Sequence, residues 1–217
     1  MSGAPRLSSG FLDWWLAPWQ LAHAPALWPN GAGEPGPLAR RHGYRMWCDA
    51  AGVPADLPER FEPVWQGLAA LDSTALDEAA CLYAGLLAAR AHDAGQLALL
   101  PLAQRRWCMS VAQTQPLVAL SAPVQPGHAG QDALVQRGLA ELARALADGF
   151  PGLWPRLRLL VPPGRLLSLA GDGPGTAQIP VTAPAALARV SRCWSLCAAH
   201  AGASRARLAE AACAHFA

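Results

Sequence analysis

Apolar residues recur along most of this chain three and four positions apart, the spacing that lines one face of a helix. Phe61, Val64, Trp65, Leu68 and Leu71 form one such stripe and predict a helix over 57–71. Leu76, Ala80, Tyr83 and Leu87 form the clearest, opened by the capping residues Asp72-Ser73-Thr74, with Thr74 and Asp77 at capping-box spacing, and stopped at Gly95. Further helices are predicted over 38–50, over 97–113 with Pro101 near the first turn, over the shorter 116–120, and over 134–146 with Gly149 just past the end. The opening segment holds Phe11, Leu12, Trp14, Trp15, Trp19 and Leu21, is broken by Pro18, and reads as a short helix or extended anchor.

Beyond residue 149 the pattern changes. Gly149-Phe150-Pro151-Gly152-Leu153-Trp154-Pro155 breaks the helix, and Arg156-Leu157-Arg158-Leu159-Leu160-Val161 alternates, as a half-buried strand does. Residues 165–170 and 177–182 flank the turn-rich Gly171-Asp172-Gly173-Pro174-Gly175, so a small antiparallel β hairpin or sheet is expected in the C-terminal third. Thr182 then caps a helix with Pro184 in its first turn, and Ser204 caps a last helix to Phe216. The expected fold is mainly α, a single irregular helical domain over 1–217. The Pro/Gly-rich stretch 121–130 divides it into a helical body, 1–120, and a part of helix, small sheet and C-terminal helix pair, 131–217.

Composition narrows the chemistry. The 217 residues suffice for one sizeable core. The charged fraction, 15%, is well under the usual quarter or so, and the 53% hydrophobic fraction is slightly high, a balance that suits partner binding. All 17 basic residues are Arg, which excludes a Schiff-base lysine, a lysine general base and a P-loop lysine. Residues 1–136 hold 8 Arg against 11 acids, net −3, and 137–217 hold 9 against 4, net +5. Such mild asymmetry fits intramolecular complementarity better than a nucleic-acid footprint. The six cysteines sit among Ala, Leu and Trp, so buried free thiols and a reducing, cytoplasmic location are expected. A leader ending at Ala22-His23-Ala24 is rejected because Asp13, Pro18 and Gln20 interrupt its apolar core, and no segment reaches the length of a membrane span.

The loop 171–176 lacks a lysine and carries Pro174 where a phosphate cradle needs a donor, so a turn explains it better. Cys193, Cys197 and His200 share a helix face and could ligate a metal, but a buried face explains them better, and no metal is expected. Ala198, Gly202, Ser204 and Leu208 match the small residue, turn, cap and core leucine of a helix-turn-helix, with Arg205 and Arg207 facing DNA. A small DNA-binding regulator is therefore the alternative function. No nucleophile elbow, His-Glu-x-x-His or carboxylate pair stands out; Asp77 and Glu78 suit a helix start, and no catalytic residue or cofactor is expected.

The order of segments supplies what the chemistry does not. Cys81-Leu82-Tyr83-Ala84-Gly85-Leu86-Leu87 leads into Leu99-Leu100-Pro101-Leu102 and Gln113-Thr114-Gln115-Pro116-Leu117. Then come Val135-Gln136-Arg137-Gly138-Leu139 and Trp154-Pro155-Arg156-Leu157-Arg158-Leu159-Leu160-Val161-Pro162. Over residues 76–163 this resembles the SctK family of bacterial type III secretion systems, also called YscK, OrgA or MxiK. The resemblance implies a non-enzymatic adaptor of the cytosolic sorting platform. Its partners would be the SctQ-like pod protein and the cytoplasmic domain of the SctD-like inner-membrane ring protein, with no small-molecule substrate. It assigns no contact residues. Burial preferences favour Trp14, Trp15 and Trp19 as cover for the core edge, yet together with the basic C-terminal region they are the best partner-binding candidates in the chain.

Overall fold

The computed structural model describes residues 6–25, 36–120, 130–170 and 184–215. Its first three helices are α1, Ser9–Leu16, α2, Pro37–Ala51, and α3, Ser73–Arg90. The Asp72 carboxylate caps α3 by accepting from the Ala75 amide at 2.9 Å. Every residue from Ala79 to Ala88 in α3 is buried, so this stretch of the helix has no solvent face and must be enclosed. The enclosure is built by α5, Leu102–Thr114, α6, Gln131–Gly149, and α9, Pro184–His215, after the short α4, Ala94–Ala98.

Small residues let these helices approach. A Cβ built on Gly138 of α6 would overlap the backbone carbonyl of Ala80, and one on Gly85 would run into Leu100 and the Cys108 sulfur. Bulk fills the other side, where Tyr83 stacks on Trp194 of α9 with ring centroids 4.6 Å apart and planes 14° off parallel. The segment 116–120 runs as an extended strap, buries Leu117 and Leu120, and donates the Leu120 amide to the buried Glu141 carboxylate at 2.8 Å.

A second region docks on this hub. Helix α1, capped by Ser8, sends Phe11 and Trp15 into an aromatic cluster with Phe150, at centroid distances of 5.6 and 5.8 Å. Helix α2 buries only Trp47 and Cys48, which join Val53 and Leu159 in a small separate core. Its chain reverses at Gly52, whose φ of +62° is the left-handed conformation that glycine adopts without strain.

Several expectations are corrected. Among the described residues there is no strand, and hence no hairpin or sheet; residues 177–182 lie outside them. The alternating run begins in α7, Leu153–Leu157, continues through a 3-10 turn over Arg158–Leu160, and precedes α8, Pro163–Ala170. Its alternation misled because Arg156 does not face water: it is fully buried beside Leu157, Leu159, Leu160 and Val161, so the true pattern is nearly continuous burial. The expected C-terminal helix pair is one helix, α9, which passes through Gly202 without a turn and so offers no helix-turn-helix. Only Pro63–Ala70 of the segment 57–71 coils, as a 3-10 helix. Pro101 separates α4 from α5 rather than sitting inside one helix, and Pro116 begins the strap where a short helix was expected.

Candidate interaction site

Where α1 meets α2, the two helices leave a cleft of about 260 Å³. Leu12, Trp15 and Leu16 of α1 and Leu57 after α2 form its apolar walls, and Arg41, Tyr44 and Arg45 of α2, with Asp56, supply its polar groups. Helical spacing explains the arrangement: Leu38, Arg41 and Arg45 fall at i, i+3 and i+7 on one exposed face, while Tyr44 sits one turn before the buried Cys48. Arg45 and Asp56 form an exposed ion pair at 3.5 Å.

Behind the cleft lies Arg156. Its side chain is 0% exposed, and its guanidinium carbon sits 3.3 Å from the centroid of the Trp15 ring, a desolvated cation–π contact. Nε donates to the Trp15 carbonyl at 3.2 Å, and one terminal nitrogen donates to the Gly152 carbonyl at 3.4 Å. The other donates to the Tyr44 hydroxyl at 2.9 Å, which in turn donates to the Ala55 carbonyl at 2.8 Å. All of these acceptors are neutral, and no carboxylate pairs with Arg156 among the described residues. Burial lowers the Arg156 pKa, opposed by Tyr44 and Cys48. Burial also pushes the Tyr44 phenol up to about 12, against the pull of Arg156. At neutral pH the site therefore holds a positive guanidinium and a neutral phenol.

The tryptophans expected at an interface occupy three different settings. Trp15 is 1% exposed and belongs to the core, so a partner reaches at most the edge that borders the cleft. Trp14 is half-buried against the same core, and Trp19 is half-buried with its ring edge-on to Tyr44 and Trp47, at 6.3 and 6.2 Å. Sequence reasoning found this wall of the cleft but missed Arg41, Tyr44, Arg45 and Arg156. The one available signal was the run of arginines on an otherwise exposed α2 face. The contacts that join Arg156 to Tyr44 and Trp15 span 112 and 141 residues and have no local signature.

The other candidate chemistry resolves into packing. Cys193 and Cys197 are fully buried in the α3–α9 contact, and His200 lies against Trp107 with centroids 4.6 Å apart. No group of three His, Cys, Asp or Glu side chains is placed to hold a metal among the described residues. Cys48, Cys81, Cys108, Cys193 and Cys197 are free and buried. Desolvation pushes Cys81 and Cys193 up to about 11 and Cys108 up to about 12, which makes each a poor nucleophile at neutral pH. Among the described residues no helix is long and apolar enough to cross a membrane.

Compared with known proteins, the chain matches no protein-family model, no curated protein and no solved structure.

Proposed function

We propose that this protein is a non-enzymatic adaptor whose task is to join other proteins, and that the apparatus it serves is the sorting platform of a type III secretion system. The observation that carries the adaptor reading is the α1–α2 cleft: apolar side chains left exposed around a rim of arginines, on a region anchored to a fully packed hub. Aromatic and arginine anchors held on a rigid support are what durable protein interfaces use. The thiols add to this reading, since those pushed furthest up are sealed in helix contacts rather than set in a reactive cleft.

The choice of apparatus rests on the SctK resemblance. The segment that carries it, 76–163, spans α3 to α7 and so supplies most of the hub except α9, and the resemblance concerns the support more than the cleft. In this reading the chain works in the cytoplasm, held at the inner membrane by binding SctD-like and SctQ-like proteins and without entering the bilayer. Affinity purification of the tagged full-length chain from its own cells, followed by mass spectrometry, tests it. Co-recovery of pod-like and ring-like proteins is expected; recovery of neither would overturn the secretion assignment.

A further inference from the structure

We infer that the α1–α2 cleft receives a short acidic segment of a protein partner, in which one large aliphatic or aromatic side chain is flanked by Asp or Glu. The inference rests on the adaptor reading but is independent of which apparatus the adaptor serves.

Three observations converge on that occupant. The volume, about 260 Å³, falls below the range of roughly 300–1,000 Å³ typical of pockets that enclose whole small molecules. With Leu12, Leu16 and Leu57 around an aromatic wall, the space suits a single anchoring side chain.

Charge selects what flanks the anchor. Arg41 and Arg45 stand at the rim and Arg156 lies behind the Trp15 wall, against the single carboxylate of Asp56, so the local balance is positive. Arg156 matters most, because it is desolvated and its hydrogen bonds all end on neutral acceptors. In such a low-dielectric setting its field reaches further than that of an exposed arginine, and an incoming carboxylate is the group that gains from it.

The rim also extends along α2. Leu38, 83% exposed, lies on the same helix face as Arg41 and Arg45, and Leu16 is 53% exposed at the end of α1. A segment laid along α2 would cover both leucines while its acids meet the arginines. Leucine walls with so few rim cations do not form the dense basic footprint of a nucleic-acid site.

The test is panning of a phage-displayed random peptide library on the immobilised full-length chain. The enriched peptides are then titrated, by fluorescence polarisation, into wild type, Arg41→Glu, Leu16→Glu and a Leu102→Glu control on α5. Circular dichroism checks that each variant is folded. The expected result is a consensus of one large apolar residue flanked by Asp or Glu. Its affinity should fall about tenfold or more in both cleft variants, stay unchanged in the control, and weaken with added salt. Peptides with the acids changed to Lys should recover binding to Arg41→Glu, which separates charge recognition from damage to the fold. A basic or uncharged consensus, no enrichment, or binding indifferent to both cleft variants would overturn the proposal. So would sedimentation showing a dimer that Leu16→Glu converts to monomer, since the occupant would then be a second copy. Success here with failure of the co-purification would remove the secretion assignment and leave the acidic-segment site standing.

Discussion

The hub around α3 and the α1–α2 region solve the same problem, burying apolar surface, in opposite ways. The hub encloses a helix that is apolar along Ala79–Ala88, brings backbones together at Gly138, seats Leu100 and Cys108 against Gly85, and fills the rest with Leu, Ala and the Tyr83–Trp194 stack. The α1–α2 region buries few residues per helix, relies on rings set edge-on or tilted, and closes over a cation. Stability belongs to the first and exposed chemistry to the second. A chain that must bind without unfolding gains from that separation.

The contrast can be broken most forcefully by alkali. The hub thiols Cys81, Cys193 and Cys108 have folded-state pKa values raised above their ordinary 9.0 by burial. Their contribution to stability is therefore complete below about pH 9, where the unfolded chain keeps the same protons. It is lost as pH rises through the folded values, near 11 for Cys81 and Cys193 and near 12 for Cys108. Urea midpoints should hold steady between about pH 6 and 8 and fall steeply between about 9 and 11. A flat midpoint to pH 11 would show that the thiols are solvated and the hub loosely packed.

Single substitutions sharpen the same comparison. Trp194→Ala should cost about 3–5 kcal/mol, because it removes a fully buried indole and its stacking on Tyr83. Trp19→Ala, at the half-buried edge of the small core, should cost about 1 kcal/mol. Equal losses in chemical denaturation would erase the distinction between hub and α1–α2 region. Gly138→Ala lies between them. At an open helix position this change gains up to about 1 kcal/mol, but the new methyl would strike the Ala80 carbonyl, and a net loss of about 1–3 kcal/mol is expected. A gain in melting temperature would mean that α6 and α3 stand farther apart.

The smallest change in stability is expected from Arg41→Glu, within about 0.5 kcal/mol of wild type, since the side chain is exposed. A loss of several degrees in melting temperature would show that α2 depends on that arginine for docking.

The hub was largely legible in the sequence because its helices declare themselves by local spacing. Ser73–Arg90 and Gln131–Gly149 match the helix opened by Asp72-Ser73-Thr74 and expected to stop at Gly95, and the helix expected over 134–146; outside the hub, Pro37–Ala51 matches 38–50. The expected burial of the thiols held for the five described cysteines, but the alternating run was misread because it needed to know what Arg156 faced. Arg156 and Arg158 look alike in the alternating run, yet Arg156 is sealed against Trp15 while Arg158 reaches the carbonyls of Ala51 and Gly52 at 3.1 and 3.0 Å. Gly202 and Ser204 resemble a turn and a cap, but nothing local compels the chain to use them, and α9 continues. Of the candidate site, only the Trp15 wall was visible beforehand, because large aromatics stand out in any reading; Arg156 and its tie to Tyr44 acquire meaning only from contacts more than a hundred residues apart.

Those long spans set a schedule for biosynthesis. Trp15 leaves the ribosome 141 residues before Arg156, and Phe150, which packs against it, follows only shortly before. At typical elongation rates of about 5–20 residues per second, α1 waits on the order of ten seconds with its aromatic face uncovered. During that interval Phe11 and Trp15 are uncovered aromatic surface and a natural point of attachment for a chaperone. The same rings are shielded once α7 emerges, so a truncation that stops before residue 150 should yield a product prone to aggregate rather than a smaller working unit.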